Sequence, residues 1–395
     1  MSISLKEVPF FDHHTHLLDA NRTYLSKQDF VSTYLHGFQD KGPWDYGKSA
    51  PHVYGYPSER QVDHLADLGV IKVTTNFMAR YFDCEPTVDA VLDARNKLIN
   101  NDPAKLKAYI KALYKDANVC GTVLDSPDPW GDTKHEVFPG PVYRLYNYED
   151  DYFALLKTTS SYDKLMEELL KRTRKAIADG FIAIKAHLAE TFTFAARPTS
   201  DKKAAAQFVA AQQGDHTAGE DVFFAAFGHI LELCADLDIC IHIHTGVTSY
   251  CRPSAFNATQ TDPFIFVPFL TSNEKYLKAK IVLLHCWPYH QQAAMLGYAF
   301  GNIYVDASCM NPWHAVNFPN TISEYLGICP HSKLMLGTGQ HHFPEFCWAA
   351  AKIARASLEH VFNENIKLGM LTDGQAMDSA VKIMNRNVKA LYRLG

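Results

Sequence analysis

Short apolar runs recur along this chain, most of them separated by segments with helical spacing. Val8 to Phe11, Val70 to Thr74, Val119 to Leu124, Phe181 to Ala186, Ile239 to His244, Ile281 to His285, Ile303 to Val305 and Leu334 to Leu336 are each of strand length. Most lack strict alternation of apolar and polar positions. Strands buried on both faces read this way, which points to a parallel sheet. Between the runs, Ser161 is placed to cap a helix reaching about Asp179, with Leu165, Leu169 and Ile177 on one face and Gly180 as the stop. Phe223 to Leu237, Pro344 to His360 and Met377 to Leu394 read as further helices. Strands alternating with helices predict an α/β fold, a (β/α)8 barrel of the TIM type. An open doubly wound sheet competes, but no Gly-x-Gly-x-x-Gly follows any of the strands.

Two stretches are too long for simple connections. Leu17 to about Arg60 is rich in Tyr, Gly, Pro and His, and Glu190 to about Gly219 is rich in Ala and Gln. They follow the ends of strands 1 and 4, where barrel connections form the mouth of a site, so they are expected to be lids or specificity insertions. No repeat, linker or low-complexity tract divides the chain, and residues 1–395 are read as a single domain.

Composition narrows the partners. The chain is 47% hydrophobic and 21% charged, as expected of a well-packed globular protein. A net charge of -5 without a basic block argues against nucleic acid. No apolar run approaches the roughly 18 residues that span a bilayer. Met1 to Glu7 lacks the apolar core of a signal peptide. The nine cysteines are scattered singly, several within apolar runs, and imply free thiols in a reducing, cytoplasmic compartment. A small molecule is the expected partner, and self-association into a homo-oligomer stays open.

The chemistry gathers at strand ends. In Asp12-His13-His14-Thr15-His16 the alternation of a strand puts His14 and His16 on one face, two ligands for a borderline metal such as zinc. Lys185 and His187 end strand four, His242 and His244 strand five, His285 strand six and Asp306 strand seven; Gly337 to His342 follow strand eight. In a barrel such residues converge on one axis, and about three of them with an open position suffice for catalytic zinc. Lys185 closes an apolar strand. It is expected to bridge metals after carbamylation, to pair with a substrate carboxylate, or to snorkel to the rim.

These residues, in this order, resemble the amidohydrolase superfamily, specifically its amidohydrolase-related branch. The motifs are Asp12-x-His14-x-His16, Ile184-Lys185, His244-Thr245-Gly246, Leu283-Leu284-His285, Asn302 to Asp306 and Pro344-Glu345. The match extends to a closing motif, Asn385 to Tyr392, and is nearest to the N-terminal hydrolase domain of FluG-like proteins. The resemblance implies one or two divalent metals, zinc first and manganese or iron as alternatives. His14, His16, Lys185 and His244 take the metal positions, and His285 acts as a ligand or stabilises an oxyanion. It implies hydrolysis of an amide-type C–N bond by an activated water. Decarboxylation of a small carboxylic acid is the chemistry of a minority of relatives.

One position departs from the family. Its eighth strand ends in Gly-Ser/Thr-Asp, whereas this chain reads Gly337-Thr338-Gly339, which removes the usual proton acceptor. His341, His342, Asp306 and Glu190 are the candidates to replace it. Failing these, the glycine stands in for a natural aspartate in an inactivated variant, or the chain is a silent binding protein. Arg252 is placed to fork onto a substrate carboxylate or to form a rim salt bridge, and Trp287 to line the pocket. Asp125-Ser126-Pro127-Asp128-Pro129 reads as a turn.

Overall fold

The computed structural model describes residues 2–19, 21–32, 64–125, 137–246, 258–340 and 342–395, apart from the side chains of 32, 189, 190, 258 and 259. Its strands are β1 (Phe10–His16), β2 (Val119–Asp125), β3 (Val142–Asn147), β4 (Ala183–Ala186), β5 (Cys240–Thr245), β6 (Lys280–His285), β7 (Ile303–Asp306) and β8 (Leu334–Met335). They lie side by side in chain order, each parallel to the next. The residues after β8 return to β1 and close the ring. His13 N donates to Leu336 O (3.2 Å), Gly339 N to His14 O (2.7 Å) and His16 N to Gln340 O (3.1 Å). The expected (β/α)8 barrel is the fold.

The helix Tyr162–Ala178 forms where its sequence places it. Ser161 accepts from Lys164 N, Leu165 and Leu169 are buried, and Gly180 (φ +99°) ends it in the left-handed region. Two strand assignments need correction. Val70 to Thr74 lies inside a helix, Gly69–Phe82, whose buried residues Val70, Ile71, Thr74, Thr75 and Met78 follow helical spacing. A five-residue apolar run is too short to separate the two periods. The strand in that place is β3, hidden in the sequence by Arg144 at its centre. Arg144 covers its polarity by lying over the Phe181 ring, 4.4 Å from the centroid.

Inside the barrel Phe11, Val123, Leu145, Cys240, Val282 and Met335 make an apolar floor, completed by Val388 and Leu391 of the helix Asn387–Tyr392. The predicted closing helix is three pieces: Asp373–Val381, a π turn at Lys382–Arg386, and Asn387–Tyr392. The β1–β2 connection carries the helices Gly69–Phe82, Val88–Ile99 and Pro103–Asp116, and the β4–β5 connection carries Asp201–Gln212 and His216–Leu237. Most of the expected lid, Leu17 to about Arg60, lies outside the described residues.

The first insertion is fastened to the barrel by a buried ion pair. Arg95 Nε donates to Glu345 Oε1 (2.9 Å), and its other nitrogens donate to Thr23 O (2.7 Å) and Arg22 O (3.0 Å). Among the described residues no helix is long and apolar enough to cross a membrane, and eight cysteines carry free thiols.

Candidate metal centre

A β-bulge in β1 sets out the centre. Asp12 pairs with Thr122 and Thr15 with Leu124, so His13 and His14 together oppose Val123 alone. The extra residue lets His13, His14 and His16 all face the barrel interior. Asp12 points the other way and accepts from Thr338 N and Thr338 Oγ1 at 2.7 Å each. Burial raises the Asp12 carboxyl to about 7, against those two bonds.

His14 and His16 meet edge to face, ring centroids 4.9 Å apart. Asp125, at the end of β2, comes to them from the neighbouring strand. One ligand atom from each of His14, His16 and Asp125 lies within 4.8 Å of the others. Lys185 is fully buried and its Nζ donates to Asp125 Oδ2 at 2.9 Å. Snorkelling to the rim is thereby excluded. Burial alone would raise the Asp125 carboxyl; the Lys185 ammonium, His16 and His187 outweigh it and hold the group well below the usual carboxylate range. Burial first, then the Lys185 cation, puts His14 well below the ordinary imidazole value, so it is neutral.

These residues fit a divalent cation. Both ring nitrogens of His14 are buried and have no hydrogen-bond partner among the described residues, a state that costs free energy unless a ligand fills it. Two imidazoles and a carboxylate are a donor set for zinc, and manganese or iron also accept such donors.

His244 and His285 complete the histidine cluster. Their ring centroids are 4.4 Å apart, and His285 lies 5.1 Å from His14. β6 ends abruptly: His285 (φ +68°) and Cys286 (φ +70°) are both left-handed, which turns His285 inward where plain alternation would turn it out. Gly246 (φ +81°) accommodates this bend, because a Cβ there would overlap Trp287 O. His285 Nδ1 lies 3.1 Å from both the carbonyl oxygen and the hydroxyl of Ser308; the carbonyl can only accept, and donation to it leaves the ring's Nε2 bare. Burial and Lys185 lower His285 to about 4.

The remaining expected residues are dispersed. Asp306 has both oxygens engaged, Oδ2 by His13 Nδ1 and Oδ1 by Ser308 N, each at 2.8 Å. Trp287 is exposed on the rim, 5.8 Å from the His314 ring. His342 is exposed, and its backbone pairs with Leu17 and Asp19. Arg252, His341 and the side chain of Glu190 lie outside the described residues. Asp125 is the residue that sequence reasoning passed over. Its one signal in the sequence is an aspartate at the end of a predicted strand.

Gly339 has no room for the family's aspartate. It sits at φ +62°, and a Cβ would overlap Cys309 N and Sγ. Cys309 Sγ donates to Gly339 O (2.8 Å), and Cys309 is itself left-handed at φ +62°.

Comparison with known proteins bears on the fold and the family. A curated relative, protein fluG of Emericella nidulans, is 34% identical over 122 residues, 30% of this chain but only 14% of its own length. A crystal structure described as a metal-dependent hydrolase from Lactobacillus casei superposes with a TM-score of 0.80 at 18% identity, covering 98% of this chain and 96% of its own. Uronate isomerase of Thermotoga maritima superposes at 0.65 with 18% identity, covering 98% and 95%. At these identities both share the fold. The amidohydrolase family profile matches residues 165–393, more than half of the sequence. With the barrel and the histidine cluster at its strand ends, this places the chain in the amidohydrolase family.

Proposed function

We propose that this protein is a metal-dependent hydrolase that cleaves an amide-type C–N bond of a small molecule. The observation that carries the reading is His14, buried with both ring nitrogens unpartnered among the described residues, beside His16 and Asp125. His14, His16 and Asp125 would hold the cation, with His244 beside them. A divalent ion there supplies Lewis acidity and a water activated near neutral pH. Lys185 orients Asp125 and balances its charge. The bare Nε2 of His285 is free to take a proton or a hydrogen bond at the mouth. The partial likeness to fluG favours a small amide such as a γ-glutamyl conjugate as substrate.

Gly339 favours a second reading, a pocket kept for binding or for decarboxylation, since it removes a proton acceptor that hydrolysis in this family uses.

Elemental analysis of the purified protein tests the first reading, with His14→Ala/His16→Ala as control. About one equivalent of zinc, manganese or iron, lost in the control, is expected. A panel of γ-glutamyl amides and small carboxylic acids, assayed for amine and carbon dioxide release, then separates the two chemistries. No metal after reloading would end the hydrolase reading.

A further inference from the structure

The closing motif ends in a half-buried tyrosine that packs against the barrel's inner core. Tyr392 enters the barrel from the helix Asn387–Tyr392, and its hydroxyl is bonded by two histidine nitrogens. His13 Nε2 lies at 2.7 Å, and His242 Nε2 is the second partner. The three rings are packed together: His13 on His242 at 4.9 Å, His13 on Tyr392 at 5.7 Å and His242 against Tyr392 at 5.9 Å.

One hydroxyl can donate once along this line and must accept from the other side. The direction follows from the far end. Asp306 Oδ2 accepts from His13 Nδ1, so the proton of a neutral His13 is on Nδ1 and its Nε2 is bare. Burial keeps the Tyr392 phenol well above its ordinary value, so it retains its proton, which goes to His13 Nε2. The tyrosine oxygen then accepts from His242 Nε2–H, leaving His242 Nδ1 bare; that atom is buried and has no hydrogen-bond partner among the described residues.

The same chain continues upward. Asp306 Oδ1 accepts from Ser308 N (2.8 Å), which fixes the turn after β7. The Ser308 carbonyl and hydroxyl are then both presented to His285 Nδ1 at 3.1 Å. A line of hydrogen bonds, half-buried at Tyr392 and buried from Asp306 onward, therefore runs from the floor helix to the mouth of the candidate site.

We propose that Tyr392 is a positioning residue: it sets opposite protonation patterns on His13 and His242 and, through Asp306 and Ser308, keeps His285 turned with Nε2 toward the site. Hydrogen bonds to the second nitrogen are what fix the tautomer of a functional histidine. The floor helix thus has a chemical task besides sealing the core. The inference rests on the mouth being the functional site, but its test needs neither metal nor turnover, so the two can fail separately.

The experiment is nitrogen-15 NMR of metal-free protein labelled at histidine, with His13→Gln, His242→Gln and His285→Gln as assignment variants. Wild-type protein should carry the proton on Nδ1 in His13 and His285 and on Nε2 in His242. Tyr392→Phe, which removes only the hydroxyl, should release His242 to the other tautomer and make His285 a mixture. Leu391→Ala, which loosens the same helix without touching the chain of hydrogen bonds, should leave both patterns intact. The proposal fails if wild-type His242 is protonated on Nδ1, if Tyr392→Phe changes neither ring, or if Leu391→Ala changes them equally. Should Tyr392→Phe not fold, the wild-type pattern together with Asp306→Asn, which cuts the line at its centre and should also mix His285, decides the matter.

Discussion

Lys185 and Asp125, from β4 and β2, form a buried ion pair inside the barrel, with Nζ to Oδ2 at 2.9 Å. The pair places a cation against the carboxylate that groups with His14 and His16. Removing one member of such a pair leaves a buried charge uncompensated, at a cost of about 3–5 kcal/mol. Lys185→Met should lose about that much stability in metal-free protein and recover most of it on zinc loading, because the ion replaces the lost positive charge. Denaturation midpoints with and without zinc measure this. A variant that no longer binds zinc at all would mean that Lys185 is itself a ligand, as a carbamylated lysine would be.

Restoring the family's aspartate should not restore the family's site. Gly339→Asp must put a Cβ onto the Cys309 backbone from a left-handed residue. The strain alone is about 1–3 kcal/mol. Thermal melts should show a loss of at least that size, with no gain in bound metal by elemental analysis. A variant as stable as the parent and richer in metal would show that the turn after β8 can rearrange.

Metal retention should depend on pH in an unusual range. Protons compete with metal for imidazole nitrogens, so a free histidine would release it as pH falls through about 6.5. Burial and the Lys185 cation depress His14, and His285 falls to about 4. Depressed values move the competition to lower pH. Bound metal after dialysis should stay level as the pH falls from neutral into the ordinary imidazole range, because the His14 ring accepts its proton only well below that range. Loss centred on the ordinary imidazole value would contradict the burial of these rings.

Glu345 is one of the residues by which the family was recognised, and its task here is mechanical. It holds Arg95, and Arg95 holds the carbonyls of Arg22 and Thr23. Arg95→Met alone should cost about 3–5 kcal/mol by stranding the carboxylate. Arg95→Met/Glu345→Gln should cost clearly less than the sum of the two single changes. Additive losses in a double-mutant cycle would show that the two residues act separately.

How much of this was readable in the sequence depended on distance along the chain. His14 and His16 could be paired because they sit two positions apart on a strand. His244 and His285 could be gathered because each ends an apolar run. Asp125 could not, because its meeting with Lys185 spans 60 residues and its own neighbours, Ser126-Pro127-Asp128-Pro129, spell a turn. The absence of a carboxylate at Gly339 was plain, yet the reason that none fits lies in Cys309, which follows another strand. β3 was missed because its arginine is covered by an aromatic ring from β4's approach, a contact that no local pattern announces.

The extra residue in β1 has a further consequence. In an evenly pleated strand, alternate side chains turn inward, and these would have to choose between the chain reaching Tyr392 and the pair facing Asp125. Because His13 and His14 share one rung, the strand serves both: His13 belongs to the support beneath, His14 and His16 to the chemistry above. Substitution can therefore change one level while the other stays in place. Loss of a single residue between Asp12 and Thr15 would slip the strand out of phase and dismantle both levels in one step.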